Sequence, residues 1–120
     1  MILRLTPDEK LRLTHVAEAA ALIADYLKGV SKEAFLNDRL RQDAVIRRIQ
    51  IIGEAVRHLS RELLVRMPDF PAKQARGMRN VLVHDYDALN LERLWETATQ
   101  DIPVVKRVVE NHLQAHTDPN

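Results

Sequence analysis

One apolar period in the middle of the chain constrains the fold more than any other feature. Apolar residues recur there at intervals of three and four positions. This interval matches the 3.6-residue turn of an α-helix and places the apolar side chains on one face. The members of the series are Val45, Ile49, Ile52, Val56, Leu59 and Leu63. The sequence therefore predicts a long amphipathic helix that must bury this face against other helices.

The first helix has a clear start signal. Thr6 suits the N-cap, Pro7 the first helical position, and Glu9 the reciprocal contact of a capping box. Gly29 suits the C-cap because glycine tolerates the left-handed conformation that ends many helices. Residues 31–38 are then predicted to be a connection. The apolar face of this helix comprises Val16, Ala20, Ile23 and Leu27.

Prolines divide the second half of the chain. Pro68 and Pro71 predict the end of the long helix and a new helical stretch from near Pro71, because proline disfavours helical geometry in the residue before it. Asn90 suits the N-cap of a last helix, and Pro103 is predicted to kink that helix. Its apolar residues are Leu91, Leu94, Trp95, Ala98, Ile102, Val105, Val108, Val109 and Leu113.

These elements predict an all-α fold, an up-and-down bundle of four to five helices. With 120 residues and 46% hydrophobic content, the chain suits one domain over residues 1–120, with a core of about 6–114 and a frayed tail at 115–120. The strand-like run at 81–83 is too short to change this interpretation. We expect a cytoplasmic protein without a membrane contact, because no apolar run reaches the length of a membrane span and the N-terminus lacks the order of a signal peptide.

Several kinds of chemistry are excluded by composition. The chain has no cysteine, which rules out disulfides, thiolate metal sites and cysteine nucleophiles. Its three glycines are isolated, and Ser31 and Ser60 lie in contexts typical of a helix cap and a helix surface, so neither a P-loop nor a serine elbow is present. His112 and His116 have metal-ligand spacing but make a weak pair near the tail. We therefore predict neither a metal site nor a cofactor.

Charge is distributed unevenly although the net charge is only +1. From Arg39 to Arg79 there are ten basic residues and four acidic ones, whereas residues 80–103 carry one basic and five acidic residues. The basic stretch suits contact with phosphates, although a solvated helix face explains it equally well. The candidate RNA-binding residues within it are Arg47, Arg48, Arg57 and Arg76.

The segment RNVLVHDY brings together a guanidinium, an amide, an imidazole and a phenol, from Arg79, Asn80, His84 and Tyr86. Arg79 and His84 are five positions apart, about 140° around and about 7.5 Å along an ideal helix. A shared phosphate then requires a distorted helix, a long reach by the arginine, or two copies of the segment facing each other. The alternative is structural, with Arg79 in a salt bridge, His84 at a helix C-terminus and Tyr86 packed on the bundle.

The same segment resembles the Arg-x4-His-x-Tyr signature of the HEPN-domain toxins of the HepT type. The similarity continues in IGEAV at 52–56, GMRN at 77–80, and LW followed by DIP at 94–103, and it covers about Asp38 to Val105. One departure is that no tryptophan follows Pro71, where that family commonly has one.

The resemblance implies a dimer that brings two arginines and two histidines into one cleft, and a metal-independent ribonuclease with Arg79 and His84 as catalytic residues. It also implies a toxin–antitoxin pair of type VII-like kind, in which a minimal nucleotidyltransferase antitoxin transfers AMP to the motif tyrosine, here Tyr86. Asn80 is a supporting candidate. The alternatives are a non-catalytic helical module that binds a nucleotide or the transferase, and an enzyme for small phosphorylated metabolites.

Overall fold

The computed structural model describes residues 5–78 and 88–115 of the chain. These ranges are helical and contain no strand, which confirms the predicted all-α bundle. None of their helices is long and apolar enough to cross a membrane. The α-helical segments are α1 (Pro7–Leu27), α2 (Lys32–Leu36), α3 (Arg39–Arg57), α4 (Arg61–Val65), α5 (Ala72–Gly77), α6 (Ala88–Glu96) and α7 (Ile102–Ala115). The described ranges thus contain seven α-helical segments where four to five helices were predicted. The additional ones are short: α2, α4 and α5 have only five or six residues each.

The long helices α1 and α3 run antiparallel. At one end of the bundle, the Arg41 side chain donates from Nε to the carbonyl of Tyr26, at 2.8 Å, which places the last turn of α1 beside the start of α3. At the other end, the Ser60 hydroxyl donates to Glu9 at 3.2 Å, which places the start of α1 beside the residues that follow α3. We call these regions the α2 end and the α4 end, after the short helix that each contains.

The core is built from the apolar faces of α1, α3 and the last helical region. α1 packs against both α3 and α7, so that it lies between them. The predicted apolar positions of α3 are buried, as are most of those predicted for the other two helices. Fully or almost fully buried residues include Leu13, Val16, Ala20, Ile23, Val45, Ile49, Ile52, Val56, Leu94, Ile102, Val105 and Val109.

The predicted start of α1 is confirmed, and its C-cap is Lys28, one residue before the predicted Gly29. Glu9 accepts from the Thr6 amide at 2.9 Å, and the Thr6 hydroxyl accepts from the Glu9 amide at 3.1 Å, which completes the capping box. Gly29 follows the C-cap residue and has a φ of 74°, a left-handed conformation that strains residues with a Cβ atom.

Three predicted boundaries are wrong. The long helix does not continue to Leu63: it ends at Arg57, and Ser60 caps α4 by accepting from the Leu63 amide at 3.1 Å. The predicted connection at 31–38 contains α2, which Ser31 caps in the same way. Asn90 does not cap the last helix, because α6 already includes Ala88.

A π-helical segment, Thr97–Asp101, ends two residues before Pro103 in the last helical region, where the sequence predicts a kink. Proline has no amide hydrogen, and its ring clashes with the carbonyl four residues earlier, at Thr99. A wider turn before the proline is one of the known ways in which a helix accommodates such a clash. The Thr99 hydroxyl donates to the Trp95 carbonyl at 2.7 Å within this region, and α6 and α7 continue on either side of it.

Candidate functional site

The segment with the predicted catalytic chemistry falls between two helices whose positions are described. Arg79, Asn80, His84 and Tyr86 themselves lie outside the described residues, so the roles given to them stay predictions. Met78, directly before the segment, is 2% exposed, and α5 packs against α3. The chain therefore enters the segment from an element that is fixed to the core.

The helix that follows the segment is fixed at the α2 end. Leu94 of α6 is buried, and the Trp95 ring lies 5.3 Å from the ring of Phe35 in α2. Lys32 and Glu92 form an exposed ion pair at 3.3 Å between the same two helices. An exposed pair of this kind contributes little, so the burial of Phe35 and Leu94 holds α6 in place.

The predicted RNA-binding arginines of α3 have different surroundings. Arg47 is exposed and forms no ion pair with any other described residue. Arg57 is exposed and lies 3.9 Å from Glu54. Arg48 is half-buried, and its Nε atom is buried without a hydrogen-bond partner among the described residues. The side chain of Arg76 lies outside the described residues.

Helix geometry places the three candidate arginines of α3 on different sides of that helix. Arg48 and Arg57 are nine positions apart on α3, which places them about 180° apart around the helix axis. Arg47 lies about 80° from Arg57 and about 15 Å along the axis. These arginines therefore face different surroundings, and their roles as RNA contacts stay predictions.

Arg47 lines a groove together with residues of α1. A groove of about 260 Å³ between the two helices is lined by Arg12, His15, Arg47, Gln50, Ile51, Glu54 and Ala55. Sequence reasoning missed Arg12 and His15, because they are more than 30 positions away from Arg47 and only the antiparallel packing of α1 on α3 brings them together.

A second groove of about 260 Å³ lies at the α4 end. Arg66, Asp69, Arg107, Asn111 and His112 are among its lining residues, which come from the region after α4 and from α7. His112 is half-buried here, whereas His116 lies outside the described residues, so their pairing as metal ligands stays untested. Within the described ranges, no group of three or more histidine, aspartate and glutamate side chains is arranged to hold a metal ion.

Two carboxylates have a lowered pKa, one at each end of the bundle. The pKa of Glu9 is lowered chiefly because its carboxylate accepts a hydrogen bond from the Thr6 amide, with further help from Ser60 and Arg66. The pKa of Asp38 is lowered chiefly by the Arg41 amide and the Arg41 side chain. Neither group lines the groove between α1 and α3, so both act on the scaffold.

In its described ranges the protein is an all-helical bundle, and a groove lined by Arg12 and Arg47 lies between its two longest helices, α1 and α3. A family model for HepT-like ribonucleases matches residues 16–112. The match includes all of α3, the segment from Arg79 to Tyr86 and most of α7. The chain therefore belongs to the HepT-like ribonuclease family.

Curated relatives agree with this assignment. A Methanocaldococcus jannaschii protein named "Putative RNase" is 33% identical over 103 residues, which are 86% of this chain and 94% of the relative. A Thermococcus cleftensis protein named "Probable ribonuclease HepT" is 36% identical over 94 residues, 78% of this chain and 86% of the relative.

A third relative is longer. It is a Methanocaldococcus jannaschii protein named "Gamma-glutamylcyclotransferase and putative RNase", 37% identical over 102 residues. The match covers 85% of this chain but only 46% of that relative. No solved structure matches the chain.

Proposed function

We propose that this chain is the toxin of a type VII-like toxin–antitoxin pair and cleaves cytoplasmic RNA without a metal ion. The observation that carries the proposal is the family match over residues 16–112, which includes every residue of the Arg79–Tyr86 segment. The names of the relatives support RNA as the substrate. The basic balance from Arg39 to Arg79 is consistent with a phosphate-rich ligand.

In the proposed reaction, the 2′-oxygen of a ribose attacks the neighbouring phosphorus while His84 accepts the hydroxyl proton. The bond from phosphorus to the 5′-oxygen of the next nucleotide breaks, and that oxygen leaves with a proton from a protonated histidine. An imidazole suits both transfers because it exchanges protons near neutral pH. Arg79 stabilises the charge on the phosphate oxygens, and Asn80 orients His84 or one of those oxygens.

The proposed site is composite and formed by a homodimer. Arg79 and His84 are five positions apart, so on one regular helix they point about 140° apart. A second copy supplies the missing partner from the opposite direction. Mixing Arg79→Ala protein with His84→Ala protein should then restore part of the cleavage that each lacks, because the mixed dimer holds one arginine and one histidine that face each other. No recovery in a confirmed mixed dimer contradicts this arrangement.

Arg79→Ala and His84→Ala should each reduce RNA cleavage at least about 100-fold, the usual contribution of a general acid–base or charge-stabilising group. Cleavage is measured on a labelled RNA, on the all-deoxy strand of the same sequence, and in the presence of a chelator. Arg61→Ala is the matched control, because Arg61 is exposed and lies outside the segment.

The metal-independent mechanism is contradicted by inhibition with the chelator, by cutting of the deoxy strand, or by cleavage that persists in both variants. If wild-type protein cuts no RNA even at high concentration but still binds its partner, the chain is a non-catalytic module instead.

Tyr86 is proposed as the acceptor of AMP from a minimal nucleotidyltransferase antitoxin. The added group is a bulky anion, and beside Arg79 and His84 it would occupy the phosphate position and neutralise the cleft. Protein coexpressed with such a transferase should gain the mass of AMP, and Tyr86→Phe should prevent the gain. Suppressed toxicity with an unmodified Tyr86 rejects this role.

A further inference from the structure

The groove between α1 and α3 has an excess of positive charge. Arg47 is exposed and forms no ion pair with any other described residue. Arg12 contacts only Asp8 among the described ion pairs, at 2.9 Å, and that carboxylate is 66% exposed. An exposed pair within one helix is weak enough for a stronger anion to compete with it.

Glu54 is the one carboxylate among the described lining residues of the groove, and it is shared with other residues. It lies 3.9 Å from the Arg57 guanidinium and 3.2 Å from the His58 ring. Neither Arg57 nor His58 belongs to the described lining. That lining therefore has two guanidinium groups, those of Arg12 and Arg47, against one carboxylate.

The remaining lining residues can contact a sugar or a base as well as a phosphate. Gln50 offers an amide and His15 an imidazole, both able to form hydrogen bonds with phosphate or sugar oxygens. Ile51 and Ala55 add apolar surface, against which the carbon face of a ribose or a base can pack. Two guanidinium groups beside hydrogen-bonding and apolar side chains suit one phosphate with its sugar, the repeating unit of a nucleic-acid strand.

We propose that this groove binds one phosphodiester unit of single-stranded RNA through Arg12 and Arg47, with His15 and Gln50 as further contacts. The described lining residues all belong to α1 and α3 and lie outside the segment proposed for cleavage. The groove is thus a second contact, which holds the strand but takes no part in bond breaking. The inference rests on the proposed function, since it takes RNA as the ligand.

The test uses the full chain with His84→Ala, so that the RNA stays intact during the measurement. Binding of a fluorescent single-stranded RNA is followed by anisotropy from about 50 to 200 mM NaCl. Arg12→Gln with Arg47→Gln should weaken binding at least about tenfold at the lowest salt. The slope of log affinity against log salt should become shallower by about 0.7 for each lost phosphate contact. A DNA strand of the same sequence should show the same change, because the proposed contact is with phosphate.

Two further double variants serve as controls. Lys10→Gln with Arg61→Gln removes the same charge from exposed positions outside the groove and should leave the salt slope close to that of the parent. Arg12→Lys with Arg47→Lys keeps the charge and should restore the slope, although not the full affinity, because lysine lacks the planar fork of arginine. This variant also separates loss of contact from loss of folding.

The proposal is overturned if the glutamine variant binds RNA with unchanged affinity and slope, if the Lys10 and Arg61 control loses as much, or if the His84→Ala protein binds no RNA. Failure of the proposed function gives a different result from failure of the groove. RNA binding without any cleavage by the wild-type chain rejects the ribonuclease mechanism and leaves the groove in place, whereas cleavage with an inert groove rejects the groove alone.

Discussion

The two ends of the bundle are held by different chemistry. At the α2 end, the Phe35 side chain is fully buried and packs near the Trp95 ring, and its carbonyl accepts from the buried Gln42 amide at 2.9 Å. At the α4 end, the Glu9 carboxylate accepts from Thr6 and Ser60, and Arg66 lies 3.6 Å away. Both ends also bury apolar side chains and hold a carboxylate with a lowered pKa. The two carboxylates differ in what they join: Asp38 pairs with Arg41 in the first turn of α3, whereas Glu9 joins the start of α1 to Ser60 and Arg66.

This difference matters for the segment between α5 and α6. The α2 end holds α6, which follows the segment, whereas the contacts of Glu9 hold the start of α1 to α4. Damage at the α2 end should therefore affect both folding and the proposed cleavage. Damage at the α4 end should affect folding alone, and by less.

The larger effect is expected for Phe35→Ala. Removing a fully buried phenylalanine typically costs about 3–5 kcal/mol, a large part of the roughly 5–15 kcal/mol that keeps a domain folded. The free energy of unfolding is measured by urea titration. RNA cleavage is measured at a temperature at which circular dichroism shows that the variant is still folded, and it should fall because Phe35 supports α6 through Trp95.

Phe35→Leu is the matched variant, because it keeps much of the apolar volume and should lose less than half as much stability. A Phe35→Ala protein within about 1 kcal/mol of wild type would show that the α2 end does not depend on this ring. A loss of stability without any loss of cleavage would show that the α2 end does not support the segment between α5 and α6.

The sequence predicted best those features that depend on residues close together in the chain. The capping box joins Thr6 to Glu9, three positions apart, so its geometry follows from local backbone alone. The long apolar period predicted which residues are buried, and Leu59 and Leu63 are buried as expected. It did not predict that the helix breaks before them, because a second helix can continue the same face. Ser60 was the local signal for that break.

The sequence predicts the residue types of the candidate site but not how these residues are arranged in space. The chemistry of Arg79 and His84 can be read from the sequence, and their relation in space depends on contacts between distant parts of the chain or between two copies. The arginines of α3 illustrate the limit. The sequence offered Arg47, Arg48 and Arg57 alike as candidates for contact with RNA. In the structure, Arg47 shares a groove with α1, whereas the Nε atom of Arg48 is buried. Tertiary packing decides which of several neighbouring cations meets a ligand.

The smaller effect is expected for Glu9→Gln, and its sign depends on pH. Because the pKa of Glu9 is lowered in the folded protein, ionised Glu9 contributes stability above its unfolded pKa, about 4.3. That contribution disappears as the pH falls through the folded pKa. Glutamine still accepts from the Thr6 amide but loses the charge beside Arg66, so the variant should be about 0.5–1 kcal/mol less stable than wild type at pH 7. The difference should therefore shrink as the pH falls below about 4.3.

Urea titrations at pH 7, 5, 4 and 3 measure this difference, with Glu18→Gln as the matched control. Glu18 lies on the same helix, is exposed, and forms no ion pair within the described ranges. Its variant should follow the wild-type pH dependence, since nothing fixes its carboxylate. A Glu9→Gln deficit that is the same at pH 7 and pH 3 would mean that the α4 end is held by hydrogen-bond geometry and not by charge. The stability of the α4 end would then not decrease in acid.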